Sequence, residues 1–335
     1  MGEDIEIKAG DVLLFHGRGF ISWGIRKFDG TDVNHAAIAL DPATMGEAGG
    51  RGLQATPIEK AVASNVHMRV RRRDDEELAP VVSVAQTYLD QGRPYAYQQI
   101  VLLALLVSTR KIRLTGTAKK MLRSILDHAA AALNALMDRD GKRSMICSEF
   151  VYRAYSEAVA DPLDRYRILI QVGNTAFDAT SDSLAAWAVR QPDETLEAAT
   201  NIPVSFSMTT VPEPDDVDEV AEEDVAPLMA AWAVESGTVD DDMPLPPPPS
   251  FALQDLEEPS DEELLSSLIS FSSAFANATS EGPPSFALGT AIGFAAARGA
   301  IEGLLAPGIE ANFVTPGDLL LSPTLVDVGT VTGSR

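Results

Sequence analysis

With one cysteine in 335 residues, the chain has no second thiol for an intrachain disulfide and no cysteine cluster for zinc. A disulfide-stapled secreted scaffold is excluded on that count alone. Histidine is also scarce: the four present are scattered, without paired carboxylates at ligand spacing, so neither a metal site nor any other cofactor is expected. Basic residues are few, 26 Lys+Arg against 49 Asp+Glu, for a formal charge of −23. Such a chain has no large positive surface to neutralise phosphates, and nucleic-acid binding is excluded. Long apolar runs are missing as well. The stretch 100–107 is too short to span a bilayer, and 286–305 is interrupted by Arg298 and Glu302, so no membrane span is expected. The N-terminus lacks the basic start and apolar stretch of a signal peptide, and position 6 is not Ser or Thr as myristoylation would need. The expected address is the cytoplasm, with export by another route left open.

What is present is divided unevenly. Residues 1–178 hold 23 basic and 22 acidic side chains, whereas 179–335 hold 3 and 27. The second part contains acidic runs at 212–224 and 255–263 and a Pro-rich run at 244–249, textures that self-repel and bury little apolar area. Most of 190–283 therefore reads as a flexible linker, with 179–311 a largely disordered acidic extension. Two short strings recur in it, Ala-Ala-Trp-Ala-Val at 185–189 and 230–234, and Pro-Ser-Phe-Ala-Leu at 249–253 and 284–288. They fit either docking peptides for a protein partner or local duplication. One helix is expected inside it, because Ser260-Asp-Glu-Glu263 has capping-box spacing ahead of Leu264, Leu265, Leu268 and Ile269. The less acidic segment 312–335 is expected to dock on the first domain.

In the first part the pattern begins with period two. Strands are expected at 12–15, 35–40, 52–56 and 66–72, with a helical stretch at 20–28 after the Gly-punctuated turn His16-Gly-Arg-Gly19. From about residue 76 the period becomes helical. Helices are expected over 76–91, 98–107, 117–137 and 146–159, the last with Cys147 in its first turn.

That placement matters chemically. A helix N-terminus presents unpaired N–H groups and about half a positive charge, which favours a thiolate and supplies an oxyanion donor. From the residues alone the alternative is a buried structural cysteine, since free cysteine is among the most buried residue types.

The order of elements adds to this. Gly10-Asp-Val-Leu-Leu-Phe15, Val33-Asn-His-Ala-Ala-Ile-Ala-Leu40, Leu53-Gln-Ala-Thr56, Gly92-Arg-Pro-Tyr95 and Cys147-Ser-Glu-Phe-Val-Tyr-Arg-Ala-Tyr155 together resemble the YaeF/YiiX-type permuted papain-like amidases, a circularly permuted branch of the NlpC-type cysteine hydrolases. The match covers roughly residues 8–175. It implies an α+β, circularly permuted papain-like domain over 1–178, with an antiparallel sheet packed on helices. It also implies Cys147 as nucleophile, His35 as base and Gln54 as the polar residue that orients the imidazole. Many members carry glutamate at that last place, so Gln54 removes a negative charge, though a glutamine carbonyl can still fix the tautomer.

Tyr95 and His16 are the candidate substrate-binding residues. For His16 the alternative is a solvent-exposed turn; His67 and His128 read as surface or boundary residues. The reading is a thiol hydrolase that cleaves an amide or ester bond of a small-molecule, peptide or acyl substrate. Its alternatives are a non-catalytic binding or scaffold protein that retains the fold, and a related acyltransferase acting on lipid.

Overall fold

In a computed structural model the chain is mixed α+β. Described are residues 5–49, 52–74, 77–91, 99–140, 147–158, 165–170, 182–202, 217–238, 257–279, 298–301 and 314–333. Six strands form one sheet: β1 (Val12–His16), β2 (His35–Ala39), β3 (Thr44–Gly49), β4 (Gly52–Pro57), β5 (His67–Arg72) and β6 (Val326–Thr332). Their order is β4-β3-β2-β1-β5-β6, and every neighbouring pair is antiparallel. The central strand β1 is buried along its whole length, which is why its sequence is continuously apolar rather than alternating.

Each sheet face has its own core. On one, Val12, Leu14, Ala36 and Ile38 pack with Cys147, Phe150, Val151 and Tyr155 of α6 (Cys147–Ser156) and with Val81 and Ala85 of α3 (Ala79–Asp90). On the other, Leu13, Phe15, Ala37, Met45, Met68 and Val70 pack with Ile58 and Ala61 of α2 (Ile58–Ser64). A third core is helical. Helix α4 (Gln99–Thr109) is buried at every position from Ile100 to Ser108, the signature of a helix surrounded by others. Packed on it are α1 (Phe20–Asp29), α5 (Gly116–Asp140), α7 (Leu184–Val189) and α9 (Val217–Ser236), and the same core continues through α5 to α10 (Asp261–Thr279) and α8 (Asp193–Thr200).

This third core corrects the expectation of a flexible linker over 190–283. Its described residues are largely helical and contribute Leu196, Val225, Met229, Trp232, Leu264, Leu268 and Phe271 to the buried cluster. Trp232 stacks on Phe28 of α1 at 5.2 Å between ring centroids. The acidic side chains mislead because they mark the solvent faces of helices whose opposite faces are apolar. Glu222 of α9 goes further: its carboxylate accepts the backbone N–H groups of Phe20 and Ile21, the latter at 2.8 Å, capping α1 from a distant part of the chain. The Ser260–Glu263 capping box is present in both directions, at 2.9 and 3.2 Å. Both copies of Ala-Ala-Trp-Ala-Val lie in helices, α7 and α9; the Pro-Ser-Phe-Ala-Leu copies lie outside the described residues.

The C-terminal residues complete the sheet. Strand β6 pairs along β5 with a shift in register at Val70/Arg71, and ahead of it the short helix α11 (Pro316–Leu320) opens with a Thr315–Asp318 capping box. Among the described residues no helix is long and apolar enough to cross a membrane.

Candidate active site

His35 opens β2, and the first turn of α6 holds Cys147 against it. Helix α6 packs on β2 and β3 through the apolar stripe Phe150, Val151, Ala154 and Tyr155, and the aromatic ring of Phe150 approaches Gly46 so closely that a methyl group there would sit 3.3 Å from it. Cys147 is fully buried and close enough to the His35 imidazole to favour its charged form. The ring is also engaged by Glu47, whose Oε2 lies 3.0 Å from Nε2. The two side chains keep little exposure, 13% for His35 and 14% for Glu47.

Glu47 was not legible as a site residue. It lies in β3, where Thr44-Met-Gly-Glu-Ala-Gly49 is too rich in glycine to read as a strand. The pairing shows the reason for its place. Ala37 stands opposite Glu47, and Glu47 opposite Gln54, so β3 lies between the strand of the histidine and the strand of the glutamine. Gln54, expected to orient the imidazole, donates instead from Nε2 to Oε1 of Glu47 at 3.4 Å. The acid that Gln54 seemed to replace is supplied by its cross-strand neighbour. A signal existed: Gly49-Gly-Arg-Gly52 is a hairpin turn by composition, and folding 44–57 about it sets this register.

The electrostatics follow from the contacts. Burial opposes a charged ring at His35, but the hydrogen bonds and charges of Cys147 and Glu47 outweigh it and lift the imidazolium to about 10. At Glu47 burial pushes the carboxyl up, and hydrogen bonding and charge from His35, with further hydrogen bonds from Thr56 and Gln54, hold it below its ordinary value. Both shifts favour an imidazolium on His35 beside a carboxylate on Glu47 at neutral pH.

The remaining sequence candidates fall elsewhere. His16 is not an exposed turn residue: pairing of β1 with β5 extends through His16 opposite His67, burying it with its ring 4.8 Å from that of His67. His67 in turn lies 3.3 Å from Asp32, which also takes a two-nitrogen hydrogen bond from Arg69 at 2.9 and 2.7 Å. His128 pairs with Asp224 of α9 at 3.2 Å. Tyr95 lies outside the described residues. Among the described residues no group of three or more His, Cys, Asp or Glu side chains is arranged to hold a metal ion.

Comparison with known proteins gives one relevant likeness. The chain is 29% identical over 157 residues to the probable lipoprotein peptidase YaeF of Escherichia coli (strain K12), covering 46% of this chain and 57% of that protein. The chain thus spans little more than half the length of this relative. No protein-family model matches, and no solved structure does.

Proposed function

We propose that the protein is a cysteine hydrolase that cleaves an amide or ester bond through a thioester acyl-enzyme. One observation carries the reading: His35 lies 3.0 Å from the half-buried Glu47 carboxylate and within electrostatic reach of Cys147, the one cysteine of the sequence. A nucleophile, a base and a group that orients the base are the minimum such chemistry needs.

In this mechanism the Cys147 thiolate attacks the substrate carbonyl, and the oxyanion takes a hydrogen bond from the Cys147 backbone N–H at the start of α6. The His35 imidazolium then gives its proton to the departing amine or alcohol as the carbonyl–heteroatom bond breaks. Neutral His35 removes a proton from water, hydroxide adds to the thioester, and the acid leaves as Cys147 regains its sulfur electrons. Glu47 orients the imidazole and stabilises the charge that His35 carries. Gln54 and Thr56 hold the carboxylate in place. The name of the relative puts a peptide amide ahead of an ester in the order of substrates to test.

A second reading rests on the complete burial of Cys147, which suits a structural cysteine in a non-catalytic scaffold. Intact-mass spectrometry during turnover of activated acyl esters and peptide amides separates the two. The hydrolase gives an acyl adduct that maps to Cys147 and disappears in Cys147→Ala; the scaffold gives none.

A further inference from the structure

The C-terminal segment touches the elements on either side of the proposed dyad, and each contact is specific. On the nucleophile side, Ser148, the residue after Cys147, is fully buried and its hydroxyl donates to the backbone carbonyl of Val314. Toward the base, the N–H of Gly317 donates to Oδ2 of Asp29 at 2.8 Å, at the end of α1 and just ahead of the 30–34 connection that leads into His35. The approach there is close: a Cβ at position 317 would lie 2.5 Å from Asp29 Oδ2 and 2.8 Å from the methyl group of Thr31, so that these side chains would have to shift. Between these two polar anchors, Val314 and Leu319 are buried in one core with Cys147 and with Val33, two residues before His35. The Thr315–Asp318 capping box holds the segment in shape, at 2.9 and 3.0 Å.

On the reading of Cys147 and His35 as a dyad, we infer that residues 314–319 are a positioning tie that sets the separation of nucleophile and base. The tie joins the first turn of α6 to the connection entering β2. Helix α6 rests on the sheet through its apolar stripe, a non-directional contact that leaves it free to slide, whereas the entry to β2 is held by the Asn34 N–H on the Phe15 carbonyl and by the pairing of His35 with Phe15. A hydrogen bond from each to the same short, internally capped segment removes that freedom. Ser148 and Gly317 act through Cys147 and His35 and touch no reacting atom. A misplacement of about 1 Å between reacting groups is enough to cost on the order of a hundredfold.

The test uses the full-length chain and its single thiol. The second-order rate of Cys147 alkylation by iodoacetamide is measured across about pH 5 to 9 in wild type, Ser148→Ala, Ser148→Thr, Gly317→Ala and His35→Ala, with far-ultraviolet circular dichroism and urea midpoints alongside. The tie predicts that Ser148→Ala and Gly317→Ala keep the wild-type dichroism. They lose roughly tenfold or more in rate at neutral pH, and their profile takes the shape of His35→Ala, while Ser148→Thr restores the wild-type profile. If both variants alkylate with the wild-type profile while their urea midpoints fall, the segment only packs and the tie is overturned. A wild-type profile already identical to that of His35→Ala overturns the dyad itself, an outcome distinct from the failure of the tie.

Discussion

Oε2 of Glu47 lies 3.0 Å from Nε2 of His35, and that contact makes the third member of the site an acid on β3 rather than the glutamine on β4. Replacing the acid by its neutral isostere tests the assignment. Glu47→Gln keeps a hydrogen-bond acceptor but removes the charge, so the His35 imidazolium loses a stabilising neighbour and its titration falls from about 10. The upper limb of the pH–rate profile moves to lower pH, and turnover drops about a hundredfold or more.

Gln54→Ala has a smaller effect. Its side chain donates one long hydrogen bond to Glu47, worth about 1 kcal/mol, so the expected loss in kcat/KM is under about tenfold. A loss equal to that of Glu47→Ala would return Gln54 to the imidazole.

Asp29 provides a stability test with a definite sign. Burial raises its carboxyl to about 6 against the hydrogen bonds of Thr315 and Gly317; nearby Asp318 adds to the rise, and Arg110 works against it. Because the folded value exceeds the ordinary 3.8, the folded state binds more protons between the two, and stability falls as pH rises through that window. Asp29→Asn keeps an acceptor for Gly317 and removes the penalty. It should be more stable than wild type at pH 7, by up to about 3 kcal/mol, and equal to it near pH 4, as read from urea unfolding at the two pH values.

Glu222→Ala tests whether the acidic half belongs to the fold. The carboxylate caps the N-terminus of α1, and its loss is expected to cost about 1–2 kcal/mol. Residues 1–178 alone lose β6, α9 and α10 and leave Trp23 and Phe28 without Trp232. The truncation should therefore bind an apolar dye and unfold without a cooperative transition; a sharp two-state transition would show that the first half is self-sufficient.

How far the sequence exposed these relationships depends on the kind of signal each carried. Strands β1, β2, β4 and β5 announced themselves through apolar runs bounded by turn residues, and α5 through a helical repeat of Leu122, Ile125, Leu126, Ala129 and Leu133. Cys147 stood out because it opens an apolar helix, and His35 through the resemblance to the permuted papain-like amidases. Strand β3 stayed hidden because Gly46 and Gly49 lower its strand propensity, although Gly46 makes room for Phe150. Glu47 stayed hidden with it. In the acidic half α10 was announced by its capping box, but the other helices, and the burial of all of them, were missed for a different reason: composition averages over a helix, whereas burial follows one face. Leu264, Leu268, Phe271 and Phe275 on α10 are buried beside acidic residues that hold the helix N-terminus and pair with Lys119 and Arg123 of α5. Cross-strand register and long-range capping, as between Glu222 and α1, are set by tertiary structure and leave no local pattern.

The most direct test of the proposed ion pair is a nitrogen-15 NMR titration of the His35 imidazole, assigned by its disappearance in His35→Ala. The account predicts a ring that stays protonated through neutral pH and releases its proton near 10, and that titrates at lower pH in Cys147→Ala and in Glu47→Gln. A ring that titrates near the ordinary value of about 6.5 and ignores both substitutions would contradict it.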